Sequence, residues 1–229
     1  MTTTLPPGAR GRSLRQAIDA KAQDFCRTTK PDFRVERDLL TRGIWPVAGI
    51  DEAGRGPLAG PVAAAAVILD PRKLPGGLND SKVLTPSERD HLYEEIMLHA
   101  SAVAVAFASA AEIDRINIRQ ATFSAMRRAL LALAFAPRHV LIDGNDLPPG
   151  LCVPAETIVK GDAAISSIAA ASIVAKVTRD RLMRHLCILY PAYRFSEHFG
   201  YCTPAHLAAI AEHGPCPFHR LSFRPFAAV

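Results

Sequence analysis

The sequence predicts an α/β protein with a mixed sheet, and two observations carry this prediction. Short segments that are rich in β-forming residues or continuously apolar come early in the chain, and segments with helical periodicity lie between and after them. The first predicted strands follow one another in the chain, and the helices come between and after the later ones. We therefore expect a mixed sheet in which the first two or three strands are antiparallel. The chain has 229 residues, which is enough to bury a substantial core in one or two domains.

Five segments are predicted as strands: residues 45–50, 62–69, 102–107, 140–142 and 153–159. Helices are predicted at residues 86–98, 119–134 and 163–189, with a last helix starting near Pro204. The helix at 86–98 has the clearest start, with Thr85 as N-cap, Pro86 at its first position and Glu88 placed to complete a capping box. Residues 1–36 are predicted to be an N-terminal extension with one short helix at 14–25, and residues 37–229 the globular domain.

The composition is that of an ordinary globular protein, with 49% hydrophobic and 21% charged residues. No uncharged segment reaches the roughly 20 apolar residues of a membrane span, and the N-terminus lacks the apolar core of a secretory signal. Five scattered cysteines argue against a disulfide framework. We therefore expect a cytoplasmic protein without membrane association. The net charge of +5 lies mostly in residues 1–42, so it does not by itself indicate nucleic-acid binding.

Two adjacent carboxylates, Asp51 and Glu52, follow an apolar strand and precede a turn that contains Gly54, Gly56 and Gly60. Glycine at this density permits positive φ and a close approach of the backbone to a ligand. The spacing also fits a dinucleotide-binding fingerprint, but that motif needs a helix directly after the glycines, and residues 62–69 are predicted as a strand. Adjacent strand residues point to opposite faces. The segment by itself therefore indicates either a metal or phosphate site or an exposed acidic turn.

Two further acids stand out. Asp143 ends the strand predicted at 140–142, where α/β sheets place their ligands, although an Asx turn is the alternative. Asp180 continues the inward-facing stripe of the helix predicted at 163–189, where an ionised carboxylate needs a cation such as Lys176. All-oxygen ligands suit Mg²⁺ or Mn²⁺, and two such ions are a known device for phosphodiester hydrolysis. The acids predicted to bind metal and to be catalytic are Asp51, Glu52, Asp143 and Asp180.

Seven sequence blocks occur in order between residues 31 and 226: DEAGRGPLAGPV at 51–62, LNDSK at 78–82, LIDG at 141–144, VKGD at 159–162, AASIVAKVTRD at 170–180, GY at 200–201 and HRLSF at 219–223. On these blocks the chain resembles bacterial ribonuclease HII. The resemblance implies a ribonuclease H-like fold with a five-stranded mixed sheet flanked by helices, and a C-terminal helical segment, 185–229, that helps to hold substrate. It implies an endoribonuclease that cleaves the RNA strand of RNA–DNA hybrids, including single ribonucleotides in duplex DNA, and leaves 5′-phosphate and 3′-hydroxyl ends.

The resemblance also implies roles for particular residues. Asp51, Glu52, Asp143 and Asp180 would bind two Mg²⁺ or Mn²⁺ ions in the substrate complex. Gly54, Arg55 and Gly56 would contact the ribose 2′-OH, which distinguishes RNA from DNA, and Tyr201 would pack at the RNA–DNA junction. Lys82, Lys160 and Lys176 are candidate substrate contacts. The family often has lysine where this chain has Val83 and Phe199, so two potential phosphate contacts are absent. A monomer is expected.

Three alternatives remain open at this point. A non-catalytic nucleic-acid-binding module would use the glycine turn for grip, but it has no need of four inward-facing acids. The related type-3 ribonuclease H shares the acidic set, although the turn at 54–56 together with Tyr201 favours type 2. A zinc site near the C-terminus would use residues whose spacings fit no common zinc motif: His198, Cys202, His206, His213, Cys216 and His219.

Overall fold

A computed structural model describes residues 30–227 of the chain. The strands are β1 (Val47–Ala53), β2 (Val62–Ile68), β3 (Ala102–Ala108), β4 (His139–Asp143) and β5 (Ala155–Ile158). The helices are α1 (Arg34–Thr41), α2 (Pro86–His99), α3 (Ala110–Leu131), α4 (Ser166–Leu189), α5 (Phe195–His198) and α6 (Pro204–His213), and short 3₁₀ turns lie at Gly161–Ala163 and Pro191–Tyr193. The helix predicted at 14–25 lies outside the described residues, and the division at 36/37 stays a prediction.

The five strands form one mixed sheet in the order β3-β2-β1-β4-β5. β1 is antiparallel to β2, and β2 to β3, as the sequence predicts. β1 is parallel to β4, and β4 to β5. Ile50 is opposite Ile142, and Asp143 is opposite Ile158, so the carboxyl ends of these three strands lie side by side. That edge is where open α/β sheets bind ligands.

Helices cover both faces of the sheet. α3 packs on one face against residues such as Ile50, Val62 and Ile142, while α2 and α4 pack on the other. α4 approaches β1 so closely that a Cβ atom on Gly49 would lie 2.1 Å from the carbonyl carbon of Ser167. Glycine at position 49 is therefore what lets the first turn of α4 cross the strand that carries the acidic pair.

Two elements differ from their predicted bounds in ways that matter for the site. β1 extends to Ala53, so Asp51 and Glu52 belong to the strand and not to the turn. α3 begins at Ala110, nine residues before the predicted start, and has a kink at Asn117, where φ is +66°. The side-chain oxygen of Asn117 accepts a hydrogen bond from the amide of Gln120, which caps the second half of the helix. The periodicity that predicts a start at residue 119 is that of this second half alone.

The capping box predicted for α2 is confirmed, with reciprocal hydrogen bonds between Thr85 and Glu88. α4 has no cap from its own N-cap residue, Ile165. A carboxylate from α1 supplies one instead, because Glu36 Oε1 accepts a hydrogen bond of 2.8 Å from the amide of Ser167.

Within residues 30–227, no helix combines the length and the apolar character that crossing a membrane requires.

Glu36 should give the fold a measurable pH dependence. Its side chain is fully buried, and this burial raises the pKa of Glu36 from 4.5 to about 7. Because the pKa is higher in the folded state, the contribution of Glu36 to stability falls as pH rises through about 5 to 7. Glu36→Gln should therefore gain stability relative to the unmodified protein between pH 5.5 and pH 8, by about 1–3 kcal/mol. Thermal unfolding of both proteins at the two pH values measures this, and a pH-independent difference between them would contradict it.

Candidate active site

Three aspartates converge at the carboxyl ends of the parallel strands. Asp51 lies in β1, Asp143 ends β4, and Asp162 lies in the 3₁₀ turn that follows β5. One carboxylate oxygen from each lies within 4.8 Å of the other two, which is close enough to share a metal ion. In the part of the chain that the structure describes, no other group of three or more histidine, cysteine or acidic side chains has this property. We call Asp51, Asp143 and Asp162 the aspartate cluster.

The cluster has the electrostatics of a site for cations. Burial, followed by the charges of Glu52 and Asp143, raises the pKa of Asp51 well above its ordinary value. Burial and the charge of Asp162 raise the pKa of Asp143 to about 6, although Asp143 Oδ1 accepts a hydrogen bond of 2.7 Å from the amide of Gly161. Carboxylates crowded in this way favour a divalent cation, which removes their mutual repulsion. The oxygen-only donor set fits Mg²⁺ or Mn²⁺.

Glu52 lies beside the cluster without belonging to it. Its side chain borders the same cleft as Asp51, and it also borders a second cavity of about 380 Å³ on the side of α3. Burial raises the pKa of Glu52, against the opposing charge of Arg55, whose guanidinium lies 3.2 Å from Glu52 Oε1. The charge of Glu52 also contributes to the raised pKa of Asp143, and the metal-binding role of Glu52 stays a prediction.

The structure does not bring Asp180 to the other acids, and the prediction that it converges with them is wrong. Ser172 faces Asp51, and its hydroxyl forms a hydrogen bond that lowers the pKa of Asp51. Asp180 follows eight residues later in the same helix, which is about 12 Å along the helix axis. There it pairs with Lys176 at 2.9 Å, the partner that the sequence suggests for it, and borders a small recess formed with α2.

Asp162 is the acid that the sequence analysis missed. It follows β5, and β5 is the parallel neighbour of the strand that ends in Asp143. The same reasoning that selects Asp143, a carboxylate at the carboxyl end of a parallel strand, would have selected Asp162 from the VKGD block. Its side chain is buried, and its amide lies 3.4 Å from Asp143 Oδ1.

Two of the three lysines predicted to contact substrate line the acidic cleft, and the third does not. Lys82 lies at the cleft and pairs with Asp162 at 3.1 Å. Although partial burial disfavours its charge, the hydrogen bond and the charge of Asp162 outweigh this and raise the pKa of Lys82 to about 12. Lys176 also borders the cleft. Lys160 is exposed, with φ of +57°, and does not line the cleft.

The acidic cleft has a volume of about 470 Å³. We call residues 54–60 the glycine turn; its residues 54–56 form one wall of the cleft. Tyr201 stands against this wall, since a Cβ on Gly56 would lie 3.8 Å from the Tyr201 ring. The Tyr201 side chain is 45% exposed, which leaves its ring available to a ligand. The residues that line the cleft are Asp51, Glu52, Ala53, Gly54, Arg55, Gly56, Ser81, Lys82, Arg89, Asp143, Ser172, Lys176, Arg179 and Tyr201.

Two buried arginines hold the glycine turn from behind. Arg220 donates hydrogen bonds of 2.5–2.9 Å to the carbonyl oxygens of Gly54, Arg55 and Gly60. Arg179 donates to three further carbonyls, those of Pro61, Ala59 and Phe199. Burial, followed by the charge of Arg179, lowers the pKa of Arg220 to about 9, which still leaves its guanidinium charged at neutral pH. Burial also lowers the pKa of Arg179. No sequence pattern in the turn itself reveals these partners, which come from α4 and from the C-terminal segment.

Phe199, one of the two departures from the family pattern, has an aromatic ring within reach of two cations. Lys176 Nζ lies 5.0 Å from the ring centroid, and the Arg184 guanidinium lies 5.7 Å from it. These distances allow cation–π attraction, which a lysine at this position would replace with repulsion. Val83, the other departure, is exposed.

His198, His206 and His219 form a hydrogen-bonded aromatic cluster, which we call the histidine cluster, and no group of histidine and cysteine side chains within residues 30–227 is arranged to hold a metal ion. His198 and His206 stack with ring centroids 4.4 Å apart, and His206 Nε2 lies 3.1 Å from His219 Nε2. The other ring nitrogens of these residues bond to main-chain groups. Burial lowers the pKa of all three, that of His219 to about 4, so the rings are neutral at physiological pH.

Comparison with protein families supports the chemistry of this site. The family model named ribonuclease HII matches residues 48–225. A protein named ribonuclease HII from Rhizobium meliloti (strain 1021) is 58% identical over 199 residues, which cover 87% of this chain and 92% of the relative. The ribonuclease HII of Agrobacterium fabrum (strain C58 / ATCC 33970) is 55% identical over 197 residues, covering 86% of this chain and 90% of the relative.

Solved structures show the same fold. The ribonuclease H2 from Pyrococcus horikoshii OT3 is 27% identical with a TM-score of 0.67, over 79% of this chain and 94% of that one. The RNase HII in its PCNA complex from Archaeoglobus fulgidus is 28% identical with a TM-score of 0.65, over 81% of this chain and 98% of that one. The predicted ribonuclease H-like architecture, with its five-stranded mixed sheet, flanking helices and C-terminal helical segment, is confirmed.

Proposed function

The chain belongs to the ribonuclease HII family, a family of metal-dependent endoribonucleases, and we propose that it cleaves the RNA strand of RNA–DNA hybrids and single ribonucleotides within duplex DNA. The observation that carries the proposal is the aspartate cluster beside a glycine turn whose carbonyls are held inward. Divalent cations bound by the cluster would promote hydrolysis of a phosphodiester bond. Amide N–H groups that point out of the turn can donate hydrogen bonds to the 2′-hydroxyl of a ribose.

The aspartate cluster holds the divalent ions, and Glu52 adds a fourth carboxylate at its margin. We propose two Mg²⁺ or Mn²⁺ ions in the substrate complex, which when bound activate water and stabilise the departing 3′ oxygen. Asp143 is fixed by the amide of Gly161, so its carboxylate keeps its orientation. Lys82, bonded to Asp162, holds a positive charge where the phosphate of the substrate meets the acids. The products carry 5′-phosphate and 3′-hydroxyl ends.

Recognition of the ribonucleotide falls to the glycine turn and Tyr201. The carbonyls of Gly54 and Arg55 point inward to Arg220. In a trans peptide the N–H points opposite to the C=O, so the amides of Arg55 and Gly56 point away from Arg220. No hydrogen bond within residues 30–227 uses either amide. They are donors that can meet a 2′-OH, while the Tyr201 ring offers an apolar face to the adjoining nucleotide.

The direct test is a duplex DNA with one embedded ribonucleotide. We expect cleavage at that position in Mg²⁺ or Mn²⁺, none in EDTA and none of the same duplex made entirely of DNA. Product ends are read by ligation, which needs a 5′-phosphate and a 3′-hydroxyl. Cleavage of a long RNA–DNA hybrid but not of the single ribonucleotide would assign the chain type-3 specificity instead. Binding without cleavage in any divalent ion would contradict the catalytic assignment.

Tyr201→Ala should slow cleavage at a single embedded ribonucleotide more than cleavage of a long RNA–DNA hybrid. Because an isolated ribonucleotide offers one RNA–DNA junction, the loss of the stacking surface should slow its cleavage by about tenfold, a value expected from the stacking of one base on an aromatic ring. Cleavage within a long hybrid, which has many equivalent positions, should fall much less. Tyr201→Phe keeps the ring and is the matched control. Equal losses on both substrates would remove Tyr201 from junction recognition.

A further inference from the structure

His219 and Arg220 are neighbours in the C-terminal segment. Arg220 contacts the glycine turn, and His219 is connected to Tyr201 through a second histidine. The segment pairs with the glycine turn, because His219 forms an antiparallel bridge with Ala59 and the amide of Arg220 donates to the carbonyl of Leu58. In this extended pairing, neighbouring side chains point to opposite sides. The Arg220 side chain turns towards the glycine turn, and the His219 side chain turns towards the histidine cluster.

The hydrogen bonds of His219 define a directed chain that ends at Tyr201. The amide of Cys216 donates to His219 Nδ1 at 2.9 Å, so in the neutral ring the proton is on Nε2. His219 Nε2 therefore donates to His206 Nε2, at 3.1 Å. That leaves the His206 proton on Nδ1, from which it donates to the carbonyl oxygen of Tyr201 at 2.9 Å. Neutral rings in these tautomers satisfy every bond of the chain. In them the longer contact of 3.3 Å between His219 Nδ1 and the carbonyl oxygen of Cys216 is not a hydrogen bond.

We propose that His219 and Arg220 are positioning residues that set the glycine turn in register with Tyr201, so that the enzyme reads the 2′-OH and the neighbouring nucleotide as one unit. Arg220 fixes the turn, and His219 fixes the loop of Tyr201 through His206. Arg220 is 0% exposed and His219 is 2% exposed, so neither side chain contacts substrate. The inference rests on the proposed recognition roles of the turn and of Tyr201.

Replacing Arg220 with Lys tests the first half of the proposal. Lysine keeps the charge but cannot reach three carbonyls in the planar fork of arginine. Binding is measured in an Asp143→Asn background, with a duplex containing one ribonucleotide and with its all-DNA counterpart. We expect the preference for the ribonucleotide duplex to fall about tenfold, as the loss of one or two oriented hydrogen bonds implies, with the affinity for all-DNA duplex unchanged.

The His219 half has its own pair of variants. His219→Phe fills the aromatic cluster but removes the donor to His206, whereas His219→Gln retains an amide N–H for that bond. We expect His219→Phe to slow cleavage at a single ribonucleotide several-fold more than in a long hybrid, and His219→Gln to restore most of the loss. When Tyr201→Ala is combined with His219→Phe, cleavage at a single ribonucleotide should slow little further, because the Tyr201 ring is already displaced from its position beside the glycine turn.

The outcomes separate the inference from the function that it rests on. If the unmodified protein shows no preference for the ribonucleotide duplex, the proposed recognition by the turn and Tyr201 is wrong. If it shows the preference and Arg220→Lys retains it with an unchanged melting temperature, the positioning role is wrong. Should Arg220→Lys fail to fold, the His219 pair decides, and equal slowing of both substrates by His219→Phe would overturn the proposal.

Discussion

Asp162→Asn is expected to reduce cleavage on the order of a hundredfold or more, as the loss of a charge at the reacting centre implies. Asp162 offers one of the three carboxylate oxygens that lie within 4.8 Å of one another. The substitution preserves the shape of the side chain but weakens the site for the divalent ion. The measurement is single-turnover cleavage of a duplex with one ribonucleotide in saturating Mg²⁺.

Asp180→Asn is the matched control for this prediction, because it removes the same charge from a buried position outside the cluster. We expect cleavage within about a factor of three of the unmodified protein, since the change costs only the pair with Lys176. The Asp162 variant should also fold normally, because removing one of several crowded carboxylates relieves repulsion when no metal is bound. Loss of activity in Asp180→Asn with full activity in Asp162→Asn would reverse the assignment.

Gly54→Ala is expected to damage both the fold and substrate recognition. Gly54 has φ of +91°, and an added Cβ would lie 1.9 Å from Nε of Arg179, which itself donates hydrogen bonds to the carbonyls of Ala59 and Pro61. Strain and displacement of this arginine together should cost roughly 3 kcal/mol or more. This corresponds to a fall in melting temperature of at least about 5 °C, measured by calorimetry, and cleavage at a single ribonucleotide should fall sharply.

Gly56→Ala provides the contrast within the same turn. A Cβ at position 56 meets only the Tyr201 ring at an ordinary contact distance of 3.8 Å. The melting temperature should therefore stay within about 1 °C of the unmodified protein. The methyl group would project into the cleft beside an outward amide, so substrate affinity should still fall. Equal thermal destabilisation by the two substitutions would contradict the view that the buried arginines hold this turn.

The architecture and the two predicted acids that enter the aspartate cluster, Asp51 and Asp143, follow from local patterns in the sequence. Alternation, apolar runs and one capping box locate the strands and α2, and a carboxylate at the end of a parallel strand selects Asp143. Asp180 was chosen from the periodicity of one helix, which shows that a residue faces inward but not where along the axis it lies. Asp162 has no periodic signal of its own, and only the rule that selects Asp143, a carboxylate just after a parallel strand, points to it.

Sequence patterns do not predict the buried residues that hold the glycine turn and the loop of Tyr201 in place. Arg179 and Arg220 lie more than 100 residues from the turn whose carbonyls they hold. Nothing in their local sequence distinguishes a buried arginine bonded to backbone from an exposed one. The histidine chain depends likewise on which ring nitrogen meets which main-chain group, a property of the folded structure alone.

Binding of Mn²⁺, measured by isothermal titration in the absence of nucleic acid, tests the central claim about the aspartate cluster most directly. We predict that Asp162→Asn weakens binding at least about tenfold relative to the unmodified protein, as removal of one of three charged ligands implies, while Asp180→Asn leaves it unchanged. Undiminished binding by Asp162→Asn, or a loss confined to Asp180→Asn, would contradict the account.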